Sequence, residues 1–166
     1  AQAQLDILKA STSKLFANDA LALSFLIKSN TALDSLGTAM QLFAKSDFLL
    51  FQNKDSLALK TLDTLLQKFS EHELADEALF QTARIYENNA DYNKAIEYYD
   101  QIIHNHSSGL MADDALFNMA DIYNEKIQDT QKAMELYKEL LVNYTGSIHV
   151  IEARKKFRKL RGDNIN

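Results

Sequence analysis

The chain has 166 residues with no cysteine, no proline and only four glycines, and its formal net charge is −5. The missing cysteines exclude disulfides, thiolate zinc sites and cysteine nucleophiles. The negative charge argues against general nucleic-acid binding, which needs a basic face. Because the turns of strand-rich folds depend on glycine and proline, their scarcity favours an almost entirely helical chain. No apolar run approaches the ~18–20 residues of a membrane-spanning helix.

The sequence of residues 1–35 predicts an irregular helical region that packs on the first repeat, or the remains of a more divergent repeat. Apolar residues are loosely spaced for one helical face between positions 5 and 16, and residues 21–27 make a short apolar helix. This region lacks the alanine and tyrosine pattern that follows, as terminal repeats often do. The first residues lack the basic and apolar segments of a signal peptide. Since they enter a helical pattern without a capping residue, we expect an excised piece of a longer protein rather than a processed mature end.

One sequence unit occurs twice between residues 76 and 144, with a step of 37 residues in its first helix. Ala78-Leu79-Phe80 recurs as Ala115-Leu116-Phe117, and after a one-residue insertion near Asp129 the match resumes. The other matched positions pair Ala83 with Ala120, Tyr86 with Tyr123, Ala95 with Ala133, and Tyr99 with Tyr137. Self-similarity at a period of roughly 20–50 residues predicts a stack of repeated helix pairs.

A third, weaker copy comes before these two, and half a copy follows them. The weaker copy places Phe43 on Phe80 and Ala58 on Ala95, with Ser46 where the later copies have alanine. The predicted repeats therefore span residues 36–70, 72–107 and 110–145. A final helix at 147–160 would begin a fourth unit and replace its apolar face with cations, as a solubilising cap requires. Residues 161–166 are expected to fray.

At these residues the chain resembles the tetratricopeptide repeat family, a solenoid of antiparallel helix hairpins. The family pattern has large, small and aromatic residues in the first helix and a small and an aromatic residue in the second. It is supplied by Leu79, Ala83, Tyr86, Ala95 and Tyr99 and their later equivalents. The resemblance implies an all-α, α-α superhelix over residues 36–160 with a C-terminal capping helix. Physically, the small residues permit close approach of the two helices in a hairpin, and each hairpin is stable only against its neighbours.

The connections between repeats are similar to those of an envelope-associated branch of this family, which includes the Tol–Pal coordinator and outer-membrane assembly lipoproteins. In that branch a proline usually stands where this chain has Ser107 and Thr145. We therefore expect Gly109 and Gly146 to end the helices that precede them. The resemblance favours a periplasmic or cell-envelope location over a cytoplasmic one.

The resemblance also implies a concave surface lined by the first helix of each repeat, which we call helix A. The partner-binding residues that it implies are Phe43, Asp47, Leu50, Phe80, Arg84, Glu87, Phe117, Asp121, Asn124 and Lys155. Phenylalanine occupies one equivalent position in three repeats. If exposed together, these rings would form an aromatic ladder for an extended or helical peptide. The alternative is that the rings pack between helices as ordinary core.

Charged residues leave further alternatives open. Acidic residues on helix A indicate either a basic peptide partner or simple solvation of an exposed face. The cations of the last helix suit a helix C-terminal cap, which the acidic remainder of the chain favours over a nucleic-acid or lipid contact. His104 and His106, with Asp113 and Asp114 nearby, do not have the spacing of a recognised ligand set, so we expect no metal.

The sequence contains no metalloprotease, hydrolase, phosphate-loop or dinucleotide signature, so we predict no catalytic residues and no cofactor. The expected function is a non-catalytic protein–protein interaction or scaffolding module, the C-terminal part of a longer bacterial protein. Its partner would be a protein or peptide, not a small molecule, nucleic acid or inserted membrane. The alternative is a structural spacer or self-association module without a peptide ligand, and an oligomer is possible.

Overall fold

The computed structural model describes residues 37–163, so the predictions for residues 1–35 and for the end of the tail lie outside the described residues. The described part holds seven α-helices and no strand, which confirms the predicted all-α class. The helices are α1 Thr38–Phe51, α2 Asp55–Lys68, α3 Leu74–Asn88, α4 Tyr92–Asn105, α5 Ala112–Ile122, α6 Thr130–Asn143 and α7 Val150–Arg161. The chain divides into two compact units between Ala75 and Asp76.

The turn inside each hairpin has the same backbone geometry in all three copies. A residue with positive φ precedes the second helix, namely Asn53 (φ 56°), Ala90 (φ 59°) and Gln128 (φ 64°). The next N–H, from Lys54, Asp91 or Asp129, donates to a carbonyl in the last turn of helix A over 2.9 Å. Asp91 and Asp129 also accept from the N–H three residues on, as helix N-caps do, whereas Lys54 provides no such bond.

The third hairpin accommodates its extra residue in a π-helical turn at Tyr123–Ile127, which continues α5. The hydrogen bond that closes the turn runs from Asp91 to Tyr86 in the second hairpin and from Asp129 to Tyr123 in the third. It therefore spans five residues in one hairpin and six in the other. A π turn contains one residue more than an α turn, so the insertion near Asp129 lengthens helix A without changing how the turn closes.

The second helices end at Phe69, His106 and Tyr144, and their ends share one set of bonds. Each of these residues donates its N–H to the carbonyl four residues earlier, and its own carbonyl accepts from the N–H three residues later. Gly109 and Gly146 lie beyond these ends, and neither has positive φ. The prediction that these two glycines end the helices is therefore wrong, because the backbone bonds close three residues before Gly109 and two residues before Gly146.

Gly109 is required by packing instead. A Cβ at this position would overlap Asp76 Oδ2 and would lie 2.9 Å from the carbonyl oxygen of His106. Gly146, in the following connection, has nothing within 4 Å of an added Cβ. The two glycines that look equivalent in the sequence therefore have different structural roles.

Each unit has its own core. In the first, Phe43 of α1 and Leu62 and Leu65 of α2 are buried, and Ser46 satisfies its hydroxyl on the Phe43 carbonyl at 2.7 Å. In the second, the small residues predicted to set helix spacing are all fully buried, together with Tyr99 and Tyr137. These small residues are Ala83, Ala95, Ala120 and Ala133. Only a methyl group fits where two helices approach this closely, so the pattern of alanines fixes the packing.

The last helix, α7, begins three residues later than predicted and ends in a glycine cap. Gly162 has φ 89°, and the N–H of Asp163 donates to the Arg158 carbonyl at 3.0 Å. The Asp163 carboxylate pairs with Arg158 and Arg161. A glycine in the left-handed region lets the chain satisfy the last carbonyls of α7 in this way. The expected fraying of residues 161–166 stays a prediction.

Candidate functional site

The ten predicted partner-binding residues all lie on the first helix of a hairpin or on α7. Phe43, Asp47 and Leu50 lie on α1 in the first unit, where Phe43 is 7% exposed and the other two are half-buried. The remaining seven lie in the second unit on α3, on α5 with its π turn, and on α7. The second unit carries most of the site, and its geometry is built from two related clusters.

The first cluster joins α3 to α4. Phe80 is half-buried and packs against Tyr99, with ring centroids 5.6 Å apart and planes tilted by 57°. The Tyr99 hydroxyl donates to Glu87 Oε2 at 2.8 Å, and Arg84 Nη1 lies 3.5 Å from the same oxygen. Burial, followed by the negative charge of Glu87, raises the pKa of Tyr99 above its ordinary value. Tyr99 therefore stays a hydrogen-bond donor and holds Glu87 in place.

The second cluster repeats this arrangement between α5 and α6. Phe117 packs against Tyr137 at 6.1 Å with the same 57° tilt, and the Tyr137 hydroxyl donates to Asp121 Oδ1. Burial, followed by this hydrogen bond, raises the pKa of Tyr137. In the repeat register Asp121 stands at the position of Arg84, and Asn124 at the position of Glu87. The acceptor for the tyrosine has thus moved by one turn along helix A.

The second cluster is covered by α7, whereas part of the first reaches the surface. His149 stacks on Phe117 with ring centroids 4.3 Å apart and planes 8° from parallel, and Lys156 Nζ lies 5.1 Å from the ring centre. His149 Nε2 lies 2.6 Å from Asp114 Oδ1. Phe117 is consequently only 7% exposed. Phe43 and Phe117 pack as core residues, and Phe80 alone among the three keeps part of its ring accessible.

Lys156 ties α7 to the acidic face of α5. Its Nζ lies 2.7 Å from both carboxylate oxygens of Asp121, 3.3 Å from Glu125 and 3.6 Å from Glu152 on its own helix. Burial lowers the pKa of Lys156, but the bonds to Asp121 and Glu125 outweigh it and the pKa is raised. Asp121 is thereby held by a tyrosine from one side and by a lysine from the other.

His149 and Lys156 were not among the residues predicted from the sequence. A signal for them exists, because Asp114 and Asp121 are seven residues apart, as are His149 and Lys156. Two helical turns separate the members of each pair, so the two aspartates on one helix can meet the histidine and the lysine on the other. The alignment of the repeats does not show this complementarity, because it matches equivalent positions that carry similar residues.

The exposed face of α7 forms a groove of about 590 Å³. Its lining residues are Ile148, Ile151, Glu152, Lys155, Lys156 and Lys159. Ile148 is 86% exposed and Ile151 is 82% exposed. Lys155, a predicted site residue, lies in this groove and is exposed, whereas Arg84 stands exposed on α3. The predicted residues of the second unit thus divide into an α3 group, a covered α5 group and Lys155 on α7.

Other candidate chemistry is sparse in the described residues. His104 Nδ1 lies 3.3 Å from Asp100 on its own helix, a pair exposed to solvent. Between residues 37 and 163 no group of three or more histidine or acidic side chains is placed to hold a metal ion. None of the helices in that range is both long and apolar enough to cross a membrane.

Two segments of the chain match the sequence model of the tetratricopeptide repeat family. They are residues 77–108 and 114–147, which correspond to the α3–α4 and α5–α6 hairpins. The matches support the predicted repeat family for this part of the chain, and tetratricopeptide repeats generally mediate protein–protein interaction or scaffolding. A search of curated proteins gives no significant match.

Proposed function

We propose that this repeat module is non-catalytic and binds a protein or peptide partner along the helix-A surface of its hairpins. The observation that supports this most directly is the fixed set of charges on α3 and α5. Buried tyrosine hydroxyls hold Glu87 and Asp121, so the surface is organised before a ligand arrives. Organising such groups in advance removes an entropic cost of binding and so raises affinity.

The α3 group is the proposed centre of this surface. Phe80 presents part of a ring beside the exposed guanidinium of Arg84, and Glu87 lies next to both. Aromatic and arginine side chains are the types that dominate binding energy at protein interfaces. Phe117 contributes by supporting α7, while Asp121, Asn124 and Lys155 extend the polar surface along α5 and α7. Phe43, Asp47 and Leu50 are the corresponding proposal for α1 in the first unit.

The experiment compares partner capture by the wild-type chain and by two charge-reversed variants. Arg84→Glu changes an exposed side chain of the α3 group, and Lys126→Glu makes the same charge change on the exposed π turn. Retained proteins are quantified by mass spectrometry after mild cross-linking. A protein retained by wild type and Lys126→Glu, but depleted with Arg84→Glu, supports the α3 group. Equal retention by all three would argue against it.

The connections between repeats support a narrower proposal, that the module belongs to the envelope-associated branch of the family. Ser107 and Thr145 stand in connections whose remaining residues are similar to that branch, and both connections share their backbone bonds. Fractionation of cells that produce the native protein tests this proposal. Recovery with the periplasmic or envelope fraction supports it, and recovery with the cytoplasm contradicts it.

A further inference from the structure

In the repeat register, the exposed face of α7 is equivalent to the face of α5 that packs against α7. At the repeat step of 38 residues, Lys155 takes the place of Phe117 and Lys159 the place of Asp121. In α5 these positions contact His149 and Lys156 of the following helix. In α7 no described residue forms an ion pair with Lys155 or Lys159. The stripe Ile148–Ile151–Lys155–Lys159, here called the α7 stripe, is therefore a stacking face with an apolar end and a basic end, and its lysines have no ion-pair partner between residues 37 and 163.

The outer face of α6 has the complementary pattern. Glu135, Glu139 and Val142 follow each other at steps of four and three residues, so they lie on one side of the helix. All three are exposed, and Val142 is 64% exposed. Glu135 also accepts from Gln131 at 3.0 Å and lies 3.8 Å from Lys132 of the same helix, exposed contacts that a partner's lysine can replace. The helix packs on α7 of its own chain, and its buried side chains include Leu136 and Leu140. We call these three residues the α6 stripe.

The two stripes match when their helices run antiparallel. Glu135 then stands opposite Lys159, Glu139 opposite Lys155, and Val142 opposite Ile151. The spacings between successive stripe residues on α6 and on α7 agree to within one residue. Side-chain ridges need such agreement in order to interdigitate. Two α7 stripes do not suit each other, because α7 carries six cations and almost no negative charge. These cations are Arg154, Lys155, Lys156, Arg158, Lys159 and Arg161.

We propose that the α7 stripe docks on the α6 stripe of a second copy of this chain. The proposal shares Lys155 with the proposed peptide-binding surface, but its other residues lie on the outer face of α6 and the open face of α7, away from the α3 group at the centre of that surface. Two such contacts related by a twofold axis close a dimer, whereas one contact per pair of chains builds an open row. A single helix pair buries less than the ~800 Å² per partner of stable complexes. The association is therefore concentration-dependent, with a dissociation constant on the order of micromolar or weaker.

The test measures the association of the 166-residue chain by sedimentation over a range of concentrations, with charges reversed on each stripe in turn. Lys155→Glu with Lys159→Glu makes both stripes acidic, and Glu135→Lys with Glu139→Lys makes both basic. Each double variant should raise the dissociation constant by about tenfold or more, because like charges then face each other. An equimolar mixture of the two variants should recover association, since each α7 stripe meets an α6 stripe of opposite sign.

The matched control is Glu97→Lys with Asp100→Lys on the exposed side of α4, which changes the net charge by the same amount as the α6 variant. It should associate as wild type does, and circular dichroism checks that every variant is folded. A wild-type chain that stays monomeric at all concentrations overturns the proposal. Association that survives both charge reversals, or that the mixture does not recover, also overturns it.

Discussion

The second and third hairpins build the same ring-and-hydroxyl cluster, but they leave different chemistry at the surface. In the second, Glu87 accepts from the tyrosine and Arg84 stays exposed. In the third, Asp121 accepts from the tyrosine and is also bound by Lys156 of the next helix. The packing requires an acceptor for the buried hydroxyl, since a buried donor without one is costly. It does not require that acceptor at one particular turn, so the other positions of helix A are free to vary.

Overpacking should destabilise both hairpins strongly and about equally. Ala95→Leu and Ala133→Leu each insert three carbons where the side chain is fully buried between helices. Each should lower the free energy of unfolding by about 1–3 kcal/mol or more. Urea denaturation followed by circular dichroism measures the change, with Ala44→Leu at an exposed position of α1 as the control. An unchanged midpoint for either buried variant would contradict the packing described for that hairpin.

The connections that follow the two hairpins should respond differently to the same substitution. Gly109→Ala places a methyl group against Asp76 and the His106 carbonyl, and should cost about 1–2 kcal/mol of unfolding free energy. Gly146→Ala meets no atom within 4 Å and has no positive φ, so it should be neutral or stabilise by about 0.4–1 kcal/mol. Thermal melts of the two variants test this contrast, which fails if both move in the same direction by the same amount.

Removing the tyrosine hydroxyl should lower the free energy of unfolding more in the first cluster than in the second. Among residues 37–163, Tyr99→Phe leaves the Glu87 carboxylate with the 3.5 Å contact to Arg84, and should cost about 1 kcal/mol. Tyr137→Phe leaves Asp121 bound to Lys156 through both oxygens, and should cost less, about 0.5 kcal/mol. Urea midpoints of the two variants give the comparison. A larger loss for Tyr137→Phe would mean that Lys156 does not compensate for the missing hydroxyl.

Alkaline pH should weaken the fold through the same hydroxyls. The folded-state pKa values of Tyr99 and Tyr137 are raised, so the folded chain holds these protons more tightly than the unfolded chain does. The contribution of these hydroxyls to the free energy of unfolding is fully present below the ordinary tyrosine pKa of 10.0, and it is lost as the pH rises beyond that value. The raised pKa of Lys156 acts in the same direction above 10.5. Unfolding free energies measured between pH 8 and 11 should fall less steeply in a Tyr99→Phe, Tyr137→Phe double variant than in wild type.

The sequence predicts the repeat, but not the contacts between successive repeats. Small residues such as Ala83 and Ala120 can be recognised from the sequence. Each helix crossing excludes a large side chain at one position, and that position recurs with the period of the repeat. His149 and Lys156 could not be found in this way. Their partners, Asp114 and Asp121, lie 35 residues away and are of a different residue type, so aligning one repeat with another hides the pair. Phe117 was ambiguous for the same reason, since its burial depends on the helix that follows.

Helix ends were predicted less well than helix interiors. The chain closes α4 and α6 with backbone bonds at His106 and Tyr144, residues with no strong preference for ending a helix. Glycine is a reliable stop only where φ is positive, as at Gly162. At Gly109 the residue type reflects the approach of Asp76, a neighbour that composition and periodicity do not show.

The π turn at Tyr123–Ile127 also bears on how this chain can change in length. A residue deleted from the middle of an α-helix rotates everything beyond it by about 100° and would turn a buried face outward. Here the surplus residue lies in one widened turn, and the bond from Asp129 to the Tyr123 carbonyl closes the loop around it. Loss of one residue from this turn would leave the α-helical end that α3 has at Asn88–Asp91, and the axis of α6 would keep its direction. The end of helix A is therefore a place where insertions and deletions can occur without disturbing the packing of the hairpin.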